Sequence, residues 1–415
     1  MSQLNKNKML CMAWYTPVAD GWGLPLLVTA PAGATKTAEM ASFARKMCSP
    51  FLHLSPGQKG EGYFGVSPVL SKLDGEDVLG FPAPLAIHEM NSLGRGLILL
   101  DELRSSPPVV MPAMLGTAQE RMFGDVRLAP GIRVFSASNS AKEAVNGRAL
   151  AAPVANRFTH IGWEDPTPAE AEKHHRMAAQ KEPFLSRGAV DFAAYTGGEI
   201  EDKLIGVRPM ERSRAAAEVF AFVGRYPTPI MRKQPLATSP DSDGPWPSPR
   251  SWSNAIDVLW TYRGLRNLGV IGGPDSEQDD LELNELLRGT VGPVAGELLE
   301  WLQQQDLPDY AEWLDGKSSV SFDPDRDDRS YAIMSGASSH ILSLTDEKLA
   351  SKRAEAFWKH ANALHPSAGY EVVNVGAGKL LQQATEGARH LIASKEAQLY
   401  MSTFRKATSA VLSGV

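Results

Sequence analysis

A lysine and a threonine stand where a short loop meets an expected helix, directly after an apolar run. The run covers Pro25–Ala30, and the loop Pro31–Thr35 leads into Lys36 and Thr37. In such a setting backbone N–H groups cradle phosphates, a lysine reaches the β and γ oxygens, and a hydroxyl holds Mg²⁺. We therefore expect phosphate contacts from Lys36 and Thr37 and from the loop residues Ala32, Gly33, Ala34 and Thr35.

The loop departs from the usual phosphate-binding pattern at two positions. Ala30 replaces the first glycine, and Thr35 replaces the glycine before the lysine, whereas Gly33, Lys36 and Thr37 keep the pattern. Glycine lets such a loop adopt unusual φ and approach the phosphates closely. We therefore expect slow turnover from this loop. The alternative interpretation is an ordinary strand–turn–helix with an incidental Lys-Thr pair.

Two adjacent carboxylates end another apolar run, about 65 residues after the lysine. Asp101 and Glu102 directly follow Leu97–Leu100. The first carboxylate can bind the water shell of Mg²⁺, and the second can activate an attacking water. The alternative is that both residues only cap the next helix.

An amide and an arginine complete the set. Asn139 ends the run Arg133–Ser138, where it can orient a water between the carboxylates and a γ-phosphate. Arg157 comes about 18 residues later, between Asn156 and Phe158. An arginine at that place can complete the site of a neighbouring subunit. Taken singly, a loop asparagine and a surface arginine are the simpler interpretations.

Alternating strands and helices must position these side chains. Short apolar runs bounded by turn or polar residues predict buried parallel strands, with helices between them that cover both faces of the sheet. The predicted strands are Pro25–Ala30, Ser49–Leu54, Gly96–Asp101, Ile132–Ala137 and Phe158–Trp163, and the predicted helices are Thr37–Met47, Val109–Arg121 and Lys142–Asn156. Phe123–Val126 predicts a tight turn before the fourth strand.

The pattern becomes helical after Trp163. Helices are predicted at Thr167–Ala179, Arg187–Tyr195, Arg208–Tyr226, Ser251–Gly264, Leu281–Gln305 and over most of Tyr331–Val415, and a polar loop at Trp313–Ser330. The stretch 226–249 holds seven prolines and predicts a long exposed loop. We therefore predict an α/β core at 1–165, a helical lid at 166–310 that includes this loop, and a mainly helical C-terminal extension at 311–415.

Composition excludes several classes of protein. The chain has 415 residues, with 42 Lys+Arg and 48 Asp+Glu and a net charge of −6, which argues against a strongly basic nucleic-acid binder. Cys11 and Cys48 are too few for a disulfide scaffold and lack zinc spacing, so free thiols in a reducing cytoplasm are expected. No apolar run approaches a membrane span, and no secretory signal is expected.

The motifs together resemble those of AAA+ ATPases, and more narrowly those of the MoxR-like group. The resemblance lies in residues 94–103 (GRGLILLDEL), the pair Pro107-Pro108, and residues 127–134 (RLAPGIRV) and 151–158 (AAPVANRF). Residues 247–252 (PSPRSW) resemble the sensor-2 region of the group's helical lid. The resemblance covers about residues 20–310.

The resemblance implies a fold and a role for each motif residue. The fold is a parallel five-stranded sheet of order 5-1-4-3-2 with an all-helical lid. The cofactors are ATP and Mg²⁺. The implied roles are Lys36 on the phosphates, Thr37 and Asp101 on Mg²⁺, Glu102 as base, Asn139 as sensor 1, Arg157 as the finger from the next protomer, and Arg250 as sensor 2.

The resemblance also implies an assembly. Members of the group form rings, typically hexamers with ATP between subunits, and are often chaperone-like partners of proteins with a von Willebrand factor A domain. We expect a ring-forming ATPase that remodels such a partner. The alternatives are a nucleotide-binding scaffold with weak or no hydrolysis, because of the altered loop, and a nucleic-acid motor, which the acidic charge disfavours.

A glycine-rich segment at 57–65 carries two aromatic residues, Tyr63 and Phe64. It predicts either a mobile loop that faces the pore of a ring or a partner, where an exposed Tyr63 or Phe64 could grip a client protein, or an ordinary surface loop.

Overall fold

The structure is a computed structural model. It describes residues 5–56, 59–65, 67–73, 75–139, 149–163, 197–224, 230–236, 238–272, 279–305, 307–323, 326–342, 344–364 and 370–403. The helices predicted at Thr167–Ala179 and Arg187–Tyr195 lie outside these residues, as does the part 142–148 of the helix predicted at Lys142–Asn156, whose described remainder is helical only at Ala152–Ala155.

The strands of the described residues are short. They are β1 (Pro17–Val18), β2 (Gly21–Trp22), β3 (Leu26–Thr29), β4 (Phe51–Leu54), β5 (Val69–Leu73), β6 (Glu76–Gly80), β7 (Arg95–Leu100), β8 (Met122–Phe123), β9 (Val126–Arg127), β10 (Gly131–Ser138) and β11 (Thr159–Gly162). Five of them, β3, β4, β7, β10 and β11, overlap the five predicted strands.

These five strands form one parallel sheet, in the spatial order β11-β3-β10-β7-β4. Numbered along the chain, this order is 5-1-4-3-2. Residues 97–100 of β7 are fully buried without polar alternation, as expected of a strand covered on both faces. The predicted α/β fold with a five-stranded parallel sheet is therefore confirmed.

Three two-stranded antiparallel hairpins lie outside this sheet, β1–β2, β5–β6 and β8–β9. The last contains the tight turn predicted at Phe123–Val126, and Gly124 supplies its positive φ of 55°. The β5–β6 hairpin has no counterpart among the predicted elements, because its strands are exposed and carry no continuous apolar signal.

The helices connect these strands and continue after them. They are α1 (Lys6–Tyr15), α2 (Lys36–Lys46), α3 (Leu85–Leu93), α4 (Met111–Gln119), α5 (Ala152–Ala155), α6 (Gly197–Gly224), α7 (Pro249–Asn267), α8 (Asp279–Val291), α9 (Val294–Gln305), α10 (Tyr310–Leu314), α11 (Asp327–Leu342), α12 (Glu347–Leu364) and α13 (Tyr370–Thr385). Sequence analysis did not predict α1 or α3. No helix within these described ranges is long and apolar enough to cross a membrane.

Two predicted helices have different bounds. The single helix predicted at Leu281–Gln305 is two helices, α8 and α9, because Gly292 takes a positive φ of 81° and Pro293 cannot continue the helical hydrogen bonding. The helix predicted at Arg208–Tyr226 begins earlier, at Gly197, and contains Pro209.

The chain divides into two compact units. The first comprises Met1–Leu204 and Met231–Ala295, and the second Ile205–Ile230 and Gly296–Val415. The second unit is helical and packs α10 to α13 around large buried side chains such as Trp313, Phe357 and Trp358. The division into core, lid and extension stays a prediction.

The glycine-rich segment does not present both of its aromatic rings. Phe64 is only 2% exposed and belongs to the core, where its ring stacks with that of Phe123 at a centroid distance of 6.5 Å. Of the two rings that the functional interpretation could expose, Phe64 is therefore not available, because packing in the core outweighs the loop-like sequence around it. Tyr63 is half-buried beside it.

Candidate functional site

The loop after β3 turns sharply into α2. Gly33 and Thr35 both have left-handed backbone conformations, with φ of 83° and 58°. Thr35 is the N-cap of α2, yet its side chain makes no capping hydrogen bond. Ala32 and Gly33 are exposed at the tip of the loop. The loop thus brings Lys36 to the first position of the helix, where the backbone N–H groups of the first helical turn favour an anion.

Lys36 connects this loop with the end of β10. Its Nζ donates to the carbonyl oxygens of Ala30 at 3.0 Å and Pro31 at 3.1 Å, and to Oδ1 of Asn139 at 2.7 Å. The lysine is only 9% exposed. Because β3 and β10 are neighbours in the sheet, the lysine and the asparagine meet although 103 residues separate them.

Asp101 accepts hydrogen bonds on both carboxylate oxygens at the end of β7. Oδ2 lies 3.0 Å from Oγ1 of Thr37 and 2.9 Å from Nε2 of His53, and Oδ1 accepts the N–H of Glu102 at 2.9 Å. Burial raises the pKa of Asp101, but these hydrogen bonds, led by the one from His53, outweigh it and leave the pKa below its ordinary value. Asp101 is therefore an anion in the folded protein at neutral pH.

Glu102 has a left-handed backbone conformation and a side-chain hydrogen bond to the residue that follows β4. Its φ of 57° is left-handed, and its exposed carboxylate accepts a hydrogen bond from Oγ of Ser55, with Oε2 at 2.5 Å. A non-glycine residue in this region of φ/ψ carries a strain of about 1–3 kcal/mol. Such strain persists where surrounding contacts enforce it, and it is common in reactive sites.

The structure brings together five of the predicted site residues, Lys36, Thr37, Asp101, Glu102 and Asn139. They lie at the carboxyl ends of β3, β7 and β10, where loops of a parallel sheet form ligand sites. An ammonium group, a hydroxyl, two carboxylates and an amide in this arrangement can bind a phosphate ester together with a divalent cation, and can orient a water for attack on phosphorus.

Arg157 and Arg250 make no hydrogen bond or ion pair with these five residues in the described part of the chain. Arg157 is half-buried, two residues beyond α5, and its carbonyl oxygen accepts a hydrogen bond from Gln119 at 3.0 Å. Arg250 is exposed in the first turn of α7. Their predicted roles are therefore not tested by the contacts of one chain.

Sequence analysis missed two residues of this site, His53 and Ser55. His53 lies in β4 and Ser55 directly follows it, and β4 pairs with β7 so that Leu54 lies opposite Leu100. The signal was available, since a histidine and a serine interrupt an otherwise apolar run at 51–55. It could be interpreted only once the sheet order placed β4 beside the strand that carries the carboxylates.

Comparison with known proteins does not establish a function for this chain. No protein-family model matches the chain, and a search of curated proteins finds no significant relative. One similar solved structure is that of a "putative ATPase" from Cytophaga hutchinsonii, with 16% sequence identity and a TM-score of 0.45. The match covers 71% of this chain and 87% of that one. The function of this chain must therefore be inferred from the geometry of the site.

Proposed function

We propose that this chain binds ATP and hydrolyses it, as an ATPase of the AAA+ class. One observation carries the proposal: Lys36, Thr37, Asp101, Glu102 and Asn139 lie at one edge of the sheet, where Lys36 donates to Asn139 and Thr37 donates to Asp101. Chance strand ends would not bring these five residue types together. The sheet order 5-1-4-3-2, which the sequence resemblance implies for this class, supports the same assignment.

The residues fit Mg²⁺ and a nucleotide. Oγ1 of Thr37 and Oδ2 of Asp101 are hard oxygen donors 3.0 Å apart. Among the described residues, no cluster of three or more His, Cys, Asp or Glu side chains could hold a metal ion. A site with one carboxylate and one hydroxyl suits Mg²⁺, which commonly completes its shell with waters and substrate phosphates.

Each side chain has a role in this proposal. Lys36 exchanges its contacts with the loop carbonyls for phosphate oxygens, and Asn139 orients the attacking water. Glu102 accepts the proton of that water as it attacks the γ-phosphorus. Thr37 and Asp101 would hold Mg²⁺, which when bound supplies charge neutralisation at the β and γ oxygens.

We further propose the assembly that the MoxR-like resemblance implies. The chain forms a ring, most simply a hexamer, and Arg157 completes the site of the next subunit while Arg250 acts on the nucleotide of its own chain. Arg157 lies two residues beyond α5, and the resemblance carried by residues 151–158 (AAPVANRF) is the ground for a role in trans. The client would be a partner protein with a von Willebrand factor A domain.

A second function is favoured by one observation. Thr35 takes a left-handed conformation with a β-branched side chain, which stiffens the loop beside the lysine. A scaffold that binds nucleotide and hydrolyses it weakly or not at all would tolerate such a loop. Phosphate release by the purified protein separates the two functions, since the scaffold retains binding without turnover.

The test of nucleotide binding uses two lysines of the same helix. Lys36→Ala removes the buried ammonium, whereas Lys46→Ala removes an exposed one that donates to Asn7 at 3.1 Å. Loss of a charged hydrogen-bond donor costs about 1.5–3 kcal/mol, so ATP affinity measured by calorimetry should fall about 10- to 100-fold for Lys36→Ala. It should stay unchanged for Lys46→Ala. Unchanged affinity in Lys36→Ala would refute the assignment.

A further inference from the structure

The residues 243–251 form a segment that leads into α7, and we call it the clamp segment. It follows the short 3-10 turn Pro240–Asp243 and ends in the first turn of α7, which contains Arg250. Two groups of buried contacts fasten it to the parts of the chain that carry Arg157 and Glu102.

The first group centres on Asn156, the residue before Arg157. Its Nδ2 donates to the carbonyl oxygen of Trp246 at 2.6 Å, and its Oδ1 accepts from Oγ of Ser248 at 2.6 Å. Asn156 is only 5% exposed and Ser248 is 5% exposed. The indole Nε1 of Trp246 in turn donates to the carbonyl oxygen of Ala152 in α5, at 2.9 Å.

Ser248 also starts α7. Its side chain accepts the N–H of Ser251 at 3.1 Å, and the hydroxyl of Ser251 accepts the N–H of Ser248 at 2.8 Å, which is a reciprocal capping box. The same serine hydroxyl that caps α7 therefore donates to Asn156. The first turn of α7 and the end of α5 share one buried hydrogen-bond network.

The second group fastens the clamp segment to the chain just after Glu102. Arg104 is 5% exposed and forms an ion pair with Asp243. The same oxygen of Asp243, Oδ1, accepts the N–H of Leu150 at 2.6 Å, and the N–H of Arg104 donates to Oγ of Ser138 at 3.2 Å. Removal of the carboxylate would leave the buried Arg104 guanidinium without its partner charge, which is costly, so this contact restrains the segment.

We infer that Asn156 is a positioning residue that makes Arg157 and Arg250 respond together. This inference rests on the proposed function, in which Arg157 faces the nucleotide of the next subunit and Arg250 faces its own. Buried hydrogen bonds between polar groups with no access to water hold one arrangement. A shift of α7 in response to nucleotide therefore displaces the end of α5, and the occupancy of one site is transmitted to the next.

The test compares three variants in mixed rings. Asn156→Ala removes the link, Ser248→Ala removes one of its hydrogen bonds, and Gln119→Ala removes a hydrogen bond to the Arg157 carbonyl without touching α7. Each variant, and the unsubstituted chain, is mixed with increasing amounts of a copy of itself that also carries Glu102→Gln. This copy should bind ATP without hydrolysing it. Phosphate release is then measured against the fraction of active subunits.

If Asn156 links the two sites, phosphate release should depend on the fraction of active subunits differently in the three variants. With the unsubstituted chain and with Gln119→Ala, activity should fall at least about fivefold below the value expected from the active fraction, which is the lower range of typical site-to-site coupling. With Asn156→Ala, activity should fall in proportion to the active fraction, and Ser248→Ala should lie between. A steep curve that persists in Asn156→Ala overturns the inference, as does a proportional curve of the unsubstituted chain.

Hydrogen exchange gives a second measurement that does not need turnover. Asn156→Ala should speed amide exchange both in the first turn of α7 and in α5, whereas Gln119→Ala should affect only the α5 side. Unchanged exchange at α7 in Asn156→Ala overturns the inference even if hydrolysis is present. Failure of the unsubstituted chain to bind ATP would instead refute the proposed function, and the coupling with it.

Discussion

At position 35 glycine should give a more stable protein than alanine, because this residue occupies a backbone conformation that suits glycine. Its φ of 58° and ψ of 18° are left-handed, and its side chain does not cap α2. Ala30, the other departure from the usual glycine pattern, is not among the non-glycine residues with positive φ. Compared with alanine at the same position, glycine should therefore raise the free energy of unfolding at position 35 and lower it at position 30.

The expected magnitude follows from two opposing contributions. A non-glycine residue in the left-handed region costs about 1–2 kcal/mol. Glycine in turn loses about 0.4–1 kcal/mol relative to alanine, because it has more freedom in the unfolded chain. Thr35→Gly should therefore be more stable than Thr35→Ala by about 0–1.6 kcal/mol, a comparison in which both variants lack the hydroxyl. Ala30→Gly should lower the free energy of unfolding by about 0.4–1 kcal/mol.

The free energy of unfolding of each variant is measured by urea denaturation, and phosphate release is measured in parallel. If the strained loop also limits turnover, Thr35→Gly should release phosphate faster, and Ala30→Gly should add nothing to it. The explanation is refuted if Thr35→Gly is less stable than Thr35→Ala. Equal or lower phosphate release, with vigorous hydrolysis by the parent, would show that this loop has its own working geometry.

Three further predictions concern other parts of the chain. Burial, with a neighbouring arginine of α12, lowers the pKa of His340 to about 4. The free energy of unfolding should therefore fall by up to about 3 kcal/mol between pH 6.5 and pH 4, because the unfolded chain takes up a proton that the folded one does not. Urea titrations at each pH should show a smaller fall in His340→Gln. Ser55→Ala removes the hydrogen bond that positions the Glu102 carboxylate, so phosphate release should slow about 10- to 100-fold while ATP binding is unchanged. Faster release would instead mean that the serine restrains the base. Gly289→Ala should lower the free energy of unfolding by about 1–3 kcal/mol or more, because its Cβ would lie 1.9 Å from a carbonyl oxygen of β11. Gly296→Ala, whose Cβ would have nothing within 4 Å, should cause no such loss, and thermal melts of both variants give the comparison.

Much of the sheet could be predicted because its strands are apolar runs of characteristic length. The predicted run Gly96–Asp101 and the observed β7 differ by one residue at each end, since four buried residues in a row leave little choice of structure. The predictions failed where the local signal was weak or divided. Nothing in the residues around Phe64 indicates burial, because the core that covers it includes Phe123, far along the chain.

The sequence by itself determined which groups could do chemistry. Lys36 and Thr37 after one strand, Asp101 and Glu102 after another, and Asn139 after a third are properties of residue type and spacing. Parallel strands carry their carboxyl ends to one edge, so the meeting of these groups was predictable in outline.

Only the tertiary structure decided what surrounds those groups. That His53 and Ser55 hold the two carboxylates depends on β4 lying beside β7, and strand order is a property of the whole sheet. The link from Asn156 to Ser248 spans 92 residues and joins two segments that show no sequence relation. Local spacing specifies a residue's own strand or helix, but its neighbours are chosen by the packing of the entire chain, which no short window of sequence contains.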